Sequence, residues 1–111
     1  MKVNKLVQKL DLEVVVGADL EREVKGGYTG DLLSNVMARA TAGDIWITIQ
    51  GHQNVAAVAL LADVAGVIVA EDFNIEEETK QRAQEKGINL FHSSRDAFEL
   101  VGKIYELGVR S

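Results

Sequence analysis

The stretch from Gly43 to Asp72, GDIWITIQGHQNVAAVALLADVAGVIVAED, constrains the fold more than any other part of the chain. An apolar run, Ile45 to Ile49, is followed by a short polar loop, Gln50-Gly51-His52-Gln53-Asn54. A helix pattern of Ala, Val and Leu comes next (Gln53 to Val64), then a second apolar run from Val67 to Ala70. Strands that are apolar at consecutive positions are covered on both faces. Parallel neighbours of that kind need a crossover of helical length between them. The segment therefore reads as one βαβ unit, and such units carry ligand sites at the carboxyl ends of their strands.

The flanking sequence extends the same rhythm. Val3, Leu6, Val7 and Leu10 have helical spacing, and the β-branched run Glu13 to Val16 reads as a strand closed by Gly17. Val24 to Thr29 is a further strand, weakened by Gly26 and Gly27. Asp31 stands where a helix starts and fits its N-cap or first turn, ahead of an apolar stripe of Leu32, Leu33, Val36, Met37 and Ala40. Gly66 is placed as the C-cap of the helix before Val67. Asn74 with Glu77 resembles a capping box for a helix ending at Gly87. Ile88 to Phe91 is a short strand, and Ser93, with Asp96 three residues later, reads as the N-cap of a last helix lined by Ala97, Phe98, Val101, Ile104 and Tyr105.

From residue 44 onward strands and helices alternate, which predicts an α/β fold. The expected architecture is a three-layer α/β/α sandwich with a mainly parallel sheet and helices on both sides. The expected core is Val15, Leu33, Val36, Ile45, Ile47, Ile49, Val58, Leu61, Val67, Ile68, Val69, Leu90, Phe98 and Val101. Trp46 has a strand position but is large for so small a core. The chain has 111 residues, within the size of one domain.

Composition narrows the function. A net charge of −5 argues against binding a nucleic-acid backbone, which needs clustered Lys and Arg. The longest apolar stretch, Val55 to Ala62, is too short to span a bilayer, and the amino terminus lacks the apolar segment of a signal peptide. The chain has no cysteine, which excludes disulfides and thiolate chemistry and fits a cytoplasmic setting.

Motifs for chemistry are sparse. Gly26 to Leu33, GGYTGDLL, is glycine-rich before a helix but lacks the Lys and Ser/Thr of a nucleoside triphosphate loop and the spacing of GxGxxG. Helix amides there favour an anion, whereas Asp31 opposes one. Glu71 and Asp72, with His52 or His92, form no dense metal-ligand set, and neighbouring His92 and Ser93 are unsuited to face each other as base and nucleophile. Glu76, Glu77 and Glu78 suit the first turn of a solvated helix. The polar loop after Ile49 remains the best candidate. His52 can donate or accept, and Gln50, Gln53 and Asn54 add amide groups. The expected ligand site comprises Gln50, His52 and Asn54, with Asp31, Glu71 and Ser93 as neighbours and no catalytic residue, metal or cofactor.

These segments resemble the DRTGG domain family across nearly the whole chain. The resemblance rests on KLVQKLDLEVVVG, GGYTGDLLSNVMARATAGDIWITIQGHQN, GVIVAED and the closing GINLFHSSRDAFELVGKIYELG. The family occurs alone and within multidomain bacterial proteins, including some phosphotransacetylases and some pyrophosphatases with cystathionine-β-synthase repeats. It is similar to the N-terminal domain of HPr kinase/phosphorylase. Its Asp-Arg element falls where this chain has His52-Gln53-Asn54, and its Thr-Gly-Gly element where this chain has Ala70-Glu71-Asp72. The chain thus resembles a stand-alone, single-domain branch with a His-x-Asn loop, found near iron hydrogenase genes in anaerobic bacteria.

The resemblance implies a regulatory or ligand-sensing domain in bacterial energy or hydrogenase-linked metabolism, with a small-molecule or nucleotide ligand and a homodimeric state. An HPr serine kinase activity would belong to the kinase's other domain, which carries its phosphate loop. Two alternatives stand beside this reading. One is an enzyme acting on a phosphorylated or nucleotide-like compound with His52 as general base. The other is a pure assembly domain.

Overall fold

The computed structural model describes residues 1–110. Five strands form one sheet in the order β1-β5-β4-β3-β2: β1 Glu13–Val16, β2 Gly26–Thr29, β3 Asp44–Thr48, β4 Gly66–Val69 and β5 Leu90–His92. Strands β2 to β5 run parallel, and β1 adds an antiparallel edge beside β5. The helices are α1 Val3–Leu10, α2 Leu33–Arg39, α3 Asn54–Ala62, α4 Glu77–Lys86 and α5 Ala97–Glu106. The sheet is therefore mixed and mostly parallel, with helices on both faces.

Every residue of β3 and β4 is buried, which explains why Ile45 to Ile47 and Val67 to Val69 are apolar without alternation. Their side chains still alternate between two cores. Ile45, Ile47, Ile68 and Phe91 face α1 and α5, while Trp46, Val67, Val69 and Leu90 face α2, α3 and α4. Successive parallel strands step across the sheet in one direction. Crossovers of one hand then place α2, α3 and α4 on the same face, and the second layer is completed by α1 and α5.

Trp46 is fully buried despite its size. Its indole Nε1–H donates to the Gly30 carbonyl at 2.9 Å, so the polar end is satisfied while the ring fills the core under α2 and α3.

Three expected core residues lie on the surface. Leu61 is 71% exposed, Phe98 90% and Val101 37%. The physical reason is shared. Helix α3 is apolar on nearly every side, so spacing could not tell which side chains turn inward; Val55, Ala56, Val58 and Ala59 do. Helix α5 carries two adjacent apolar stripes. The one through Leu100 and Ile104 is buried, and the one through Phe98, Val101 and Tyr105 faces solvent.

Several turns also differ from expectation. Helix α3 ends at Asp63 in the left-handed region (φ 56°), and Gly66 instead opens β4, where a Cβ would come within 3.0 Å of the Phe91 ring. Asn74 and Ser93 cap no helix: α4 starts after Glu76 without a side-chain cap, and Asp96 caps α5 by accepting from Glu99 N–H at 2.7 Å. Gly87 ends α4 with φ 70°, as expected.

Candidate functional site

Because β2 to β5 are parallel, the loops leaving their carboxyl ends gather at one end of the sheet. No reversal of strand order opens a crevice there. A cleft forms instead between loops.

The first wall comes from the turn after β2. Gly30 is fixed from two sides, by the Trp46 indole on its carbonyl and by its own N–H donating to the Ile47 carbonyl at 3.1 Å. That places Asp31 over the end of β3 rather than at a helix cap. Its Oδ1 accepts from the Thr48 hydroxyl (2.9 Å) and the Ile49 N–H (2.8 Å), and its carbonyl accepts from Gln50 Nε2 (3.3 Å). The carboxylate thus satisfies backbone and hydroxyl donors left where the parallel ladder stops.

The second wall joins the β3–α3 and β4–α4 loops through Gly51. Its carbonyl accepts from Glu76 N–H at 3.0 Å and from the buried Thr79 hydroxyl at 2.7 Å. A Cβ at Gly51 would sit 1.8 Å from the Asn74 carbonyl oxygen, so only glycine fits. His52 follows, and its Nδ1 accepts from the Asn54 backbone N–H at 3.2 Å. With Nδ1 so used, the neutral ring carries its proton on Nε2, which points a donor outward.

Asp31, Ile49, Gln50, Gly51, His52, Phe73, Asn74 and Glu76 together line a cleft of about 550 Å³. Of the residues expected at the site, Asp31, Gln50 and His52 meet here. Asn54 contributes its backbone N–H to His52 but does not line the cleft.

Ser93 belongs to a second cleft of about 480 Å³, with Asp11, Glu13, Asp72, His92, Ser94 and Arg95. Its Oγ accepts from Arg95 N–H at 3.1 Å. His92 lies between two carboxylates, Nδ1 3.0 Å from Glu13 and Nε2 3.4 Å from Asp72. Glu71 lines neither cleft, and its carboxylate accepts from the first N–H of α5, that of Ala97, at 3.2 Å. Among the described residues, no group of three or more His, Cys, Asp or Glu is placed to hold a metal ion, and no helix is long and apolar enough to cross a membrane.

The sequence reading missed Gly51, Phe73, Asn74 and Glu76 as cleft residues and Glu13 as a partner of His92, whereas it had set Asp72 beside His92. A glycine in the short loop after a buried strand and an aromatic residue after the acidic pair beyond β4 were the available signals.

An α/β domain with polar clefts at its parallel strand ends is the class these features define. The chain matches the DRTGG domain over residues 5–107, and it belongs to that family. No curated protein matches it. Among solved structures it is similar to the CBS and DRTGG domains of the regulatory region of Clostridium perfringens pyrophosphatase, a structure complexed with the activator diadenosine tetraphosphate. The likeness has a TM-score of 0.77 at 16% identity and covers 93% of this chain but 45% of that one, so the chain spans less than half of its structural neighbour.

Proposed function

We propose that this chain is a single DRTGG domain, residues 1–111, acting as a non-catalytic regulatory module that senses a small molecule. The observation that carries the reading is the cleft where Asp31, Gln50 and His52 converge, held rigidly by Trp46 and Gly51. The occurrence of the same fold in a regulatory region that binds a nucleotide activator supports it. In this reading Gln50 and His52 contact the ligand, Asp31 orients both the strand end and the ligand, and Asn54 fixes the His52 ring. Glu71 and Ser93 sit in the neighbouring loops. The setting is the cytoplasm of a bacterium, in energy or hydrogenase-linked metabolism.

Two features weigh against the enzyme alternative. The hydrogen bond on His52 Nδ1 comes from a backbone amide, not from a carboxylate that would raise its basicity. Among the described residues, no Ser, Thr, Cys or Lys lines its cleft. Ligand-dependent melting across nucleotides and phosphorylated metabolites, with turnover assayed for each hit, tests the choice. The sensing reading expects a stabilising ligand that is recovered intact and loses its effect in His52→Ala. A ligand that is consumed, with consumption abolished in His52→Ala, would establish an enzyme instead.

A homodimer is part of the same proposal. The exposed stripe of Phe98, Val101 and Tyr105 borders an apolar groove lined by Gly27, Ile45, Ile47 and Ile104. Phe98 at 90% exposure gains little of the roughly 2–3 kcal/mol that burying such a side chain contributes. Phe98→Ser is therefore expected to shift the light-scattering mass from dimer to monomer and to lower the melting temperature only at concentrations where the wild type dimerises. A monomer mass for the wild type at all concentrations would remove the dimer from the proposal.

A further inference from the structure

The polar groups of the His52 cleft specify a charge class of ligand, an inference that rests on the sensing reading above. Two carboxylates, Asp31 and Glu76, line the cleft, and no Lys or Arg does. Asp31 uses one oxygen for Thr48 and Ile49 and, among the described residues, leaves Oδ2 without a partner. Among the described residues, the Glu76 carboxylate, the Asn74 side chain and Gln50 Oε1 make no hydrogen bond to other protein groups. The free acceptors, Asp31 Oδ2, the two Glu76 oxygens, Asn74 Oδ1 and Gln50 Oε1, are thus accompanied by donors on Asn74 Nδ2, on Gln50 Nε2 and, with Nδ1 accepting from Asn54, on His52 Nε2. Phe73, 46% exposed, adds an aromatic surface to the wall.

Such a lining disfavours a phosphate, which would meet two like charges and no cation. It favours a flat, uncharged ring that offers amino hydrogens to the carboxylates and a ring acceptor to His52 while lying against Phe73. The volume of about 550 Å³ is ample for a nucleoside.

We propose that the cleft binds an amino-bearing heterocyclic base, as in adenosine, through the base and not through a phosphate. The amine faces Asp31 and Glu76, the ring acceptor faces His52 Nε2–H, and any phosphate on the ligand must project away from the cleft.

The test is an amide-resolved NMR titration of the full chain with adenosine, inosine and AMP at one salt concentration. Adenosine is expected to perturb residues 49–52 and 73–76. Inosine, whose amine is replaced by a carbonyl, is expected to bind about tenfold more weakly, as loss of one hydrogen bond to a charged group implies. AMP is expected to bind more weakly than adenosine, with the gap closing in Asp31→Asn. Phe73→Ala, at an exposed position that should spare the fold, is expected to weaken adenosine about tenfold. Tighter binding of AMP than adenosine at these residues, or equal binding of inosine, would overturn the ligand class and leave the sensing reading intact. No perturbation by any of the three at millimolar concentration would also overturn it. The sensing reading would then fall only if the wider melting screen gave no hit dependent on His52.

Discussion

Two adjacent loops at the same end of the sheet solve opposite backbone problems. The loop after β3 depends on one glycine. Gly51 lies against the Asn74 backbone, and its carbonyl takes both Glu76 N–H and the Thr79 hydroxyl. The loop after β4 has no glycine, yet Glu71 and Asp72 both adopt the left-handed region, at φ 60° and 59°. That conformation costs a non-glycine residue on the order of 1 kcal/mol. Each strained residue has a partner: the Glu71 carboxylate meets the start of α5, and Asp72 meets His92. Their amides donate to the Arg95 and Ser93 carbonyls, which ties the turn to the β5–α5 loop. In the resemblance drawn from sequence, these are the positions of the family's paired glycines. One loop thus uses glycine for close approach, and the other uses side-chain contacts to offset strain that glycine would avoid.

Substitutions can break this contrast in a graded way. Gly51→Ala should have the largest effect, because its Cβ would collide with backbone that no rotamer change can move. A loss of about 3 kcal/mol, read in urea denaturation, is expected, together with loss of any ligand response at His52. Trp46→Phe should cost about 2 kcal/mol, since it leaves a void and frees the Gly30 carbonyl that sets the Asp31 turn. Thr79→Val keeps the shape and removes one of the two hydrogen bonds on Gly51, for an expected cost of about 1 kcal/mol in the same assay. Glu71→Gly should change stability least, within about 0.5 kcal/mol, as relief of strain offsets the lost bond to Ala97. A Glu71→Gly loss as large as that of Gly51→Ala would show that the two loops do not differ as described.

Much of the fold was legible in the sequence because β3 and β4 are buried on both faces and announce themselves as unbroken apolar runs. The α1 stripe and the Gly87 stop were equally direct. Which helix faces turn inward was not legible in α3, apolar on nearly every side, or in α5, where two apolar stripes lie side by side and only tertiary packing selects Leu100 over Phe98. Placement of the crossover helices on one face depends on strand order, which local pattern does not encode. At the site, the loop carrying Gln50 and His52 was visible as polar residues after a buried strand. The role of Asp31 was visible only as a helix start, since its bonds to Thr48 and Ile49 cross between strands. The clamp on Gly51 was hidden for the same reason: its partners lie beyond β4, in Asn74, Glu76 and Thr79.

The β3 and β4 loops are proposed to form one ligand cleft. Its most direct measurement is the map of amide shift changes on binding the first small molecule that raises the melting temperature. The changes are expected to concentrate at residues 49–52 and 73–76, and both binding and the map are expected to disappear in His52→Ala while the fold is retained. Changes confined to the Phe98, Val101 and Tyr105 face of α5, with affinity untouched by His52→Ala, would contradict it.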